Sequence, residues 1–270
     1  MKVARAHNSR FVQCYRWTRT CVHVLEGVAT TVFVFPLSSS TTRRSLIKRW
    51  SARLLRILAV ESRVEGVLVT QAGNVLMVAN HISWLDIFVL NAEHPVCFVA
   101  KSELTQWPVI SQMIRGAGTV FIEHARRRDT HRVNEQMANV LAGGDVVAIF
   151  PEGTTTDGRD MLPFKSSLLQ PIVDAKGHVQ PVAIRYCTRD GALSLAPAYV
   201  GDTSFASSFW SVCGARAMVV TLTARPPLPA HASHRRELAR AAESSIRMAL
   251  ASPGYATVPG TPGDPRGAAP

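Results

Sequence analysis

The sequence predicts an α/β domain with a mixed, largely parallel sheet flanked by helices, preceded by an N-terminal helical segment of different character. From about residue 64, short apolar runs bounded by turn residues alternate with stretches of helical periodicity. Of the 270 residues, 47% are hydrophobic and 18% are charged, which excludes a chain that is mostly disordered. The N-terminal segment is set apart by its excess of basic residues.

The alternating runs place the secondary structure of the domain. Strands are predicted at residues 75–79, 96–100, 119–123, 145–150, 179–186, 193–196 and 218–224. Helices are predicted at residues 83–91, 102–114, 130–141 and 234–250. Together they define a domain over residues 63–252. Residues 253–270, with five Pro and four Gly, are predicted to form a disordered tail.

Residues 1–62 are predicted to form basic, apolar helices that associate with a membrane. Residues 1–60 carry 11 of the 30 Lys and Arg but a single acid, Glu26, whereas the other 210 residues carry 19 basic and 18 acidic residues. A nucleic-acid binder is expected to spread its positive charge over the folded domain. The pattern therefore favours a surface of anionic lipid as the partner, and no nucleic-acid partner is expected.

The most apolar stretch, residues 22–37, is shorter than the roughly 20 residues that a spanning helix requires. No signal-peptide cleavage site follows it. It predicts a helix that enters one leaflet, with an ordinary buried helix as the alternative. A second helix is predicted just after it and is expected on the same membrane surface, because its apolar residues recur at helical spacing with basic residues between them. These apolar residues are Leu46, Ile47, Trp50, Leu54, Leu55 and Leu58.

The five cysteines are scattered, odd in number and never spaced as Cys-x-x-Cys. This pattern excludes a disulfide framework and a structural zinc site, so the thiols are predicted to be reduced and no metal is expected.

The first candidate site is residues 80–86, NHISWLD, directly after a predicted strand. His81 and Asp86 are separated by about 500° on a continuous helix, so they can meet only if His81 lies in the turn before the helix. Ser83 as the N-cap residue provides such a turn. The pair would then be a general base and the carboxylate that orients it, with a capping or core histidine as the alternative. A second match to this spacing, in residues 124–129, lacks the strand–helix junction.

The second candidate site is residues 150–158, FPEGTTTDG, which also follow an apolar strand. Glu152 lies at a strand end, where ligands bind in open α/β sheets. Gly153 permits left-handed backbone, and Thr154 with the free N–H groups of the turn can form an anion-binding nest. A polar turn with a solvated glutamate is the alternative.

Two basic positions follow other predicted strands. Lys101 lies between a strand and a helix, and residues 126–128, three adjacent arginines, follow the strand at 119–123. Such a cluster can clamp a phosphate or contact anionic lipid, although it more often forms a solvated face. Lys101 and Arg126 are therefore candidates for substrate binding.

The order of these motifs resembles the four sequence blocks of the glycerolipid acyltransferase family. NHISWLD, GTVFIEH, FPEGT and the strand segment from Gln180 to Ile184 follow one another in the expected order, over roughly residues 64–225. Two blocks match the family patterns NHxSxxD and FPEGT letter for letter. The set looks most like the bacterial 1-acylglycerol-3-phosphate acyltransferases.

The resemblance implies a function and a role for each motif. The enzyme would transfer a fatty acyl group from acyl-CoA or acyl carrier protein to lysophosphatidic acid, giving phosphatidic acid, without a further cofactor. His81 would be the general base and Asp86 its partner, while Glu152, Gly153 and Thr154 would help to bind the glycerol-phosphate portion of the acceptor. The enzyme would lie on the cytoplasmic face of the inner membrane, either peripheral, monotopic or with a single span.

One departure from the family pattern concerns the acceptor. The family usually has Arg directly after the acidic residue of the GTVFIEH block, where this chain has His124. Either Arg126 substitutes from two positions along, or the acceptor lacks the usual phosphate. The alternatives are therefore the same chemistry on a lyso-ornithine lipid or another lysolipid, and a non-catalytic lipid-binding protein on the same fold.

Overall fold

The chain folds into a mixed sheet with helices on both faces. The structure is a computed structural model that describes residues 3–4, 8–69, 74–101, 120–122, 127–231 and 234–252. Within these ranges the α-helices are α1 Arg10–Ala29, α2 Ser40–Ile57, α3 Leu85–Glu93, α4 Arg127–Ala142, α5 Gln170–Asp174, α6 Phe205–Gly214 and α7 Arg235–Ala251. The strands are β1 Val3–Ala4, β2 Val60–Glu65, β3 Val75–Ala79, β4 Cys97–Lys101, β5 Val120–Ile122, β6 Val147–Ile149, β7 His178–Thr188, β8 Leu193–Ser194, β9 Met218–Ala224 and β10 Leu228–Pro229.

The sheet has the order β1-β8-β7-β3-β6-β4-β5, with β9 and β10 also pairing with β7 and β2 pairing with β9. Strands β7, β3, β6, β4 and β5 are parallel neighbours in that order, whereas β8, β9 and β10 run antiparallel to β7. The predicted mixed, largely parallel sheet is confirmed. Because β3 and β6 pair in parallel, with Val78 opposite Ile149, the loops that follow these two strands lie at the same edge of the sheet.

The core lies on both faces of the sheet, which explains the continuous apolar runs of the central strands. In β3, Val75 and Met77 pack in a cluster that includes residues of α2, α3 and α6. Leu76 and Val78 point the other way, into a cluster that includes residues of α4, α5 and α7. A strand with both faces buried cannot show polar alternation, because every side chain contacts a helix layer.

Most predicted elements are present with shifted ends. The strand predicted at 179–186 extends over His178–Thr188, and the strand predicted at 119–123 is described only at Val120–Ile122. The helix predicted at 102–114 and the predicted tail at 253–270 lie outside the described residues. No strand was predicted at β2 and no helix at α6. Strand β2 pairs with β9 along all six of its residues and crosses the predicted domain boundary between residues 62 and 63.

Helix α1 is longer than the apolar stretch at 22–37 indicates. It begins after the N-cap residue Ser9 and continues through a π-helical and a 3-10 turn to form a 28-residue helix, Arg10–Leu37. By length and composition this helix is able to cross a membrane, so the expectation that the segment is too short was wrong, because the residues before 22 also belong to it. Only 22% of its most apolar part is buried in the protein, unlike an ordinary core helix.

The C-terminal half of the apolar face of α2 packs inside the protein, and contact of this helix with a membrane stays a prediction. Leu54, Leu55 and Leu58 are buried in the core cluster that also contains α3. The predicted helical spacing of these residues is confirmed. They pack with α3 and with strand residues on one face of the sheet. The exposed face of α2 is the basic one.

Stacked and tilted aromatic rings connect α1, α2 and α3. The His23 ring lies parallel to Trp50, with 4.5 Å between centroids, and Trp50 contacts Phe88 at 5.6 Å. Phe88 contacts Trp84, just before α3, at 6.1 Å. His23 and Trp50 also exchange two hydrogen bonds between ring nitrogens and backbone carbonyls, each 3.0 Å long.

Candidate active site

The predicted pairing of His81 with Asp86 is present at the end of β3. His81 Nδ1 lies 2.8 Å from Asp86 Oδ2. The Asp86 side chain is fully buried, whereas 19% of the His81 side chain is exposed. Since a carboxylate accepts from Nδ1, the proton lies on Nδ1 and the lone pair on Nε2. His81 Nε2 has no hydrogen-bond partner in the described part of the chain, so it is available to a ligand.

Four donors hold the Asp86 carboxylate. Oδ2 accepts the N–H groups of Ile82 and Ser83, at 2.8 and 3.0 Å, in addition to His81 Nδ1. Oδ1 accepts the hydroxyl of Tyr186, a fully buried residue of β7, at 2.7 Å. Burial and the negative charge of Asp86 raise the pKa of Tyr186 well above its ordinary value, so the hydroxyl stays protonated and remains a donor. Tyr186 was not among the predicted site residues, because no motif links it to Asp86.

The turn before α3 differs in detail from the predicted cap. The helix begins at Leu85, and Ser83 Oγ accepts the Leu85 N–H at 3.2 Å. The N-cap residue is Trp84, which makes no side-chain cap bond, so the prediction of Ser83 as the N-cap was wrong. Asp86 folds back onto the N–H groups of residues 82 and 83 in the turn before the helix. His81 therefore lies in the turn ahead of the helix, as predicted.

Two further contacts fix the position of His81. Its ring stacks on Phe150, with 4.0 Å between centroids and planes 10° apart, so one imidazole face is covered by an aromatic ring. The residue before it, Asn80, exchanges two hydrogen bonds with the backbone of Ile184, of 2.7 and 3.0 Å. These bonds continue the β3–β7 pairing one step beyond the last strand residue.

Glu152 connects the loop after β6 to the loop after β3. Its two carboxylate oxygens accept the N–H groups of His81 and Leu162, each at 2.7 Å. Burial raises the pKa of Glu152, and the two N–H donors oppose that rise. Glu152 is therefore a buried anchor between the two motifs and not the solvated turn residue of the alternative reading; its neighbours Gly153 and Thr154 are half-buried and exposed.

The predicted basic candidates are only partly described. Lys101 is the last residue of β4, next to β6, so its backbone lies at the same sheet edge as His81 and Glu152. Arg126 and His124 lie outside the described residues.

The cysteines and acids give no sign of a nucleophilic thiol or a metal site where the structure describes them. All five cysteines are free thiols. Burial raises the pKa of Cys97 and Cys187 above the ordinary value, and that of Cys213 to about 12, so these three thiols are protonated near neutral pH. Among the residues with described side chains, no group of three or more His, Cys, Asp or Glu could hold a metal ion.

The fold and the His–Asp pair define an α/β acyltransferase domain, and comparisons with known proteins agree. The Acyltransferase family model matches residues 61–185. The chain is 36% identical over 208 residues to a lyso-ornithine lipid O-acyltransferase of Pseudomonas aeruginosa, covering 77% of this chain and 79% of the relative. It is 38% identical over 148 residues to a 1-acyl-sn-glycerol-3-phosphate acyltransferase of Neisseria gonorrhoeae, covering 55% and 58% of the two chains. The chain belongs to the glycerolipid acyltransferase family.

The fold has a solved counterpart. The crystal structure of PlsC, the 1-acyl-sn-glycerophosphate acyltransferase of Thermotoga maritima, superposes with a TM-score of 0.65 at 22% sequence identity, covering 89% of this chain and 93% of that one. The resemblance inferred from the four sequence blocks is confirmed.

Proposed function

We propose that the chain transfers a fatty acyl group from an acyl thioester, on coenzyme A or acyl carrier protein, to the free hydroxyl of lysophosphatidic acid, giving phosphatidic acid. One observation carries the proposal: a partly exposed histidine, oriented by a buried carboxylate, presents at the carboxyl edge of the sheet an Nε2 atom that has no hydrogen-bond partner among the described residues. Relatives named as acyltransferases acting on this acceptor support it.

In the proposed mechanism His81 Nε2 takes the proton of the acceptor hydroxyl as that oxygen attacks the thioester carbonyl. The imidazolium that forms keeps its Nδ1–H on Asp86, whose negative charge stabilises it. The tetrahedral intermediate then expels the thiolate, which recovers the proton from Nε2 and leaves as the thiol. A thioester has a good leaving group, so the residues described here need to supply only a base and a binding site, with no acyl-enzyme.

The remaining candidates are proposed to bind the acceptor. Glu152 fixes the loop that carries Gly153 and Thr154 against the loop of His81, so that loop is positioned to contact the glycerol-phosphate portion. Lys101 lies at the same sheet edge and Arg126 follows the neighbouring strand β5 in sequence, so both are proposed as cations for the acceptor or the donor.

A lyso-ornithine lipid is the second candidate acceptor. Relatives named lyso-ornithine lipid O-acyltransferase match this chain over more of their own length, 79% and 84% in two cases, than the Neisseria relative named for the phosphate acceptor, at 58%. The departure at His124 points the same way.

Membrane attachment through the N-terminal helices belongs to the same proposal. Helix α1 exposes Phe11, Leu25, Phe33 and Leu37, each more than 60% accessible. The basic residues of 1–60 favour an anionic leaflet, and this charge supports a position of the catalytic domain on the cytoplasmic face.

The test is acyl transfer by membranes that carry the wild type or His81→Ala. Labelled acyl thioester is offered with lysophosphatidic acid and, in parallel, with lyso-ornithine lipid. We expect His81→Ala to lower turnover by about 10²–10⁴-fold, the usual contribution of a general base. His231→Ala is the matched control, because His231 is exposed and remote in sequence from both motifs.

Each outcome has a definite meaning. Turnover on the ornithine acceptor alone would keep the mechanism and replace the acceptor. Turnover that survives His81→Ala above a tenth of wild type, or no difference between the variants on any acceptor, would reject the catalytic assignment in favour of a lipid-binding protein on this fold.

A further inference from the structure

The loop after β6 has a cation directly above it. Gly153 has a left-handed backbone, with φ of 75°, and a Cβ atom at this position would lie only 2.8 Å from Lys165 Nζ. The left-handed backbone accounts for the glycine at this position, and the short distance places the tip of the lysine side chain directly against it. The Lys165 backbone N–H donates to Pro151 O at 2.9 Å, which fixes the lysine over this turn.

The Lys165 ammonium has no acidic partner among the described residues. Nearby basic side chains differ in this respect, because Arg159 pairs with Asp157 and Arg247 pairs with Asp160. An unpaired ammonium that is held over a loop, while neighbouring cations are neutralised, has room for an anionic ligand.

The loop itself offers further donors. In the described part of the chain, the N–H groups of Thr154 and Thr155 donate to no acceptor. Successive N–H groups beside a left-handed residue form a concavity that binds anions. The Lys165 ammonium lies against Gly153, so it is next to the residues that carry these two N–H groups.

This position lies beside the histidine. Glu152 accepts the His81 N–H, and the Thr156 N–H donates to His81 O at 2.8 Å, so the donor loop is fastened to His81 on both sides.

We propose that Lys165, with the N–H groups of Thr154 and Thr155, binds the oxyanion of the acceptor headgroup. The proposal rests on the function proposed above and names a cation for it that the four sequence blocks do not contain. The ligand class is a phosphate monoester or a carboxylate. An ammonium is a point charge that accepts either geometry, whereas a guanidinium fork selects planar bidentate partners.

The kinetic test compares Lys165→Gln with Lys176→Gln, each assayed with lysophosphatidic acid and with lyso-ornithine lipid. Lys176 is also exposed but precedes β7, at the opposite edge of the sheet. We expect Lys165→Gln to raise the KM of the anionic acceptor about tenfold or more, with kcat within about threefold of wild type. Lys165→Arg should restore most of the affinity, because the charge remains. Equal KM values for Lys165→Gln and Lys176→Gln on both acceptors would overturn the proposal.

A binding measurement separates this site from the proposed activity. Glycerol 3-phosphate and inorganic phosphate are titrated against His81→Ala protein and against the double variant that also carries Lys165→Gln. Saturable binding that requires Lys165, together with a wild type that acylates neither acceptor, would support the site and reject the function. Normal acyl transfer by the wild type, with neither phosphate binding nor a KM change in the Lys165 variants, would support the proposed function and reject the site. A KM change confined to one acceptor identifies phosphate or carboxylate as the source of the charge.

Discussion

At the scale of single residues, the site is a chain of hydrogen bonds that begins in the core. The Tyr186 hydroxyl donates to Asp86, Asp86 accepts from His81 Nδ1, and Nε2 is left for the substrate. Each member is held by a more deeply buried neighbour, so the histidine needs little reorganisation when a proton is transferred. Tyr186 is a positioning residue, because it touches only the carboxylate.

Changing Tyr186→Phe should lower kcat about tenfold or more while the KM of the acceptor changes little. The loss leaves a buried carboxylate oxygen without its donor and shifts negative charge toward His81. The imidazolium gains stability, so the acidic limb of the pH–rate profile should move to higher pH. Tyr199→Phe is the control, since the Tyr199 hydroxyl has no partner among the described residues. A profile identical to wild type would show that Tyr186 is only a core residue.

Glu152→Gln should change how stability depends on pH. Burial raises the folded-state pKa of Glu152 above its ordinary 4.5. A raised carboxyl pKa means that the folded protein holds the proton more tightly, so its contribution to stability falls as pH rises from 4.5 through the folded value and is constant above it. The unfolding free energy of wild type minus that of the variant should fall across this window in denaturant titrations. A difference that rises with pH would contradict the assignment.

At the scale of elements, two parallel strands bring together motifs that are 71 residues apart, His81 and Glu152. The sheet pairs β3 with β6, and both loops emerge at the same edge. Asn80 supports this junction from the other side, where its amide pairs with the backbone of Ile184 as a strand residue would.

Asn80→Ala should lower the unfolding free energy by about 2 kcal/mol or more. The buried N–H and C=O of Ile184 would both lose their partner, and an unpaired buried polar group costs about 1–3 kcal/mol. Asn139→Ala provides the comparison, because Asn139 is exposed on α4, and surface changes usually stay within about 0.5 kcal/mol. Thermal and denaturant unfolding measure the stability of both variants. Equal unfolding free energies for Asn80→Ala and Asn139→Ala would show that Asn80 does not stabilise this junction.

Whether a contact could be predicted from the sequence depended on how many residues separate the two partners. The His81–Asp86 pair was predictable because a strand, a turn and a helix start lie within seven residues. Tyr186 contacts Asp86 from 100 positions away, and no spacing marks such a contact. Lys165 follows Gly153 through an irregular loop, and no motif spacing marks the contact between them. Strand β2, VESRVE, was missed because most of its side chains are partly exposed and polar. The apolar spacing of α2 predicted a helix correctly but could not distinguish a lipid surface from a neighbouring helix.

At the scale of the whole molecule, the proposed membrane surface and the catalytic sheet are parts of one packed body. Helix α1 and the residue before its N-cap are tied to the end of α6. The side chains of Gln13 and Arg16, and the side chain and backbone of Asn8, donate to carbonyls of residues 210–215. The exposed apolar side chains of α1 therefore have a fixed relation to the domain.

Replacing Phe33 and Leu37 together by Asp should abolish binding to vesicles of anionic lipid. Each buried apolar side chain contributes about 1.5–3 kcal/mol, so the partition coefficient should fall at least about 100-fold. Met248→Asp is the control, because Met248 is exposed on α7 and outside the N-terminal region. Vesicle flotation measures all three proteins. Undiminished binding of the double variant would exclude α1 as the membrane-docking element.

The ring contacts among His23, Trp50, Phe88 and Trp84 bear on how the enzyme reaches a substrate that lies in a membrane. These ring contacts connect α1 to α2 and α2 to α3, and Asp86 lies in the first turn of α3. If α1 is inserted in the bilayer as proposed, α2 and α3 are held in one arrangement relative to it. The depth of α1 then sets the height of His81 above the lipid surface. The headgroup of a lysolipid would need to leave the bilayer only by that fixed distance. Its acyl chain could therefore stay in the membrane while its hydroxyl reacts.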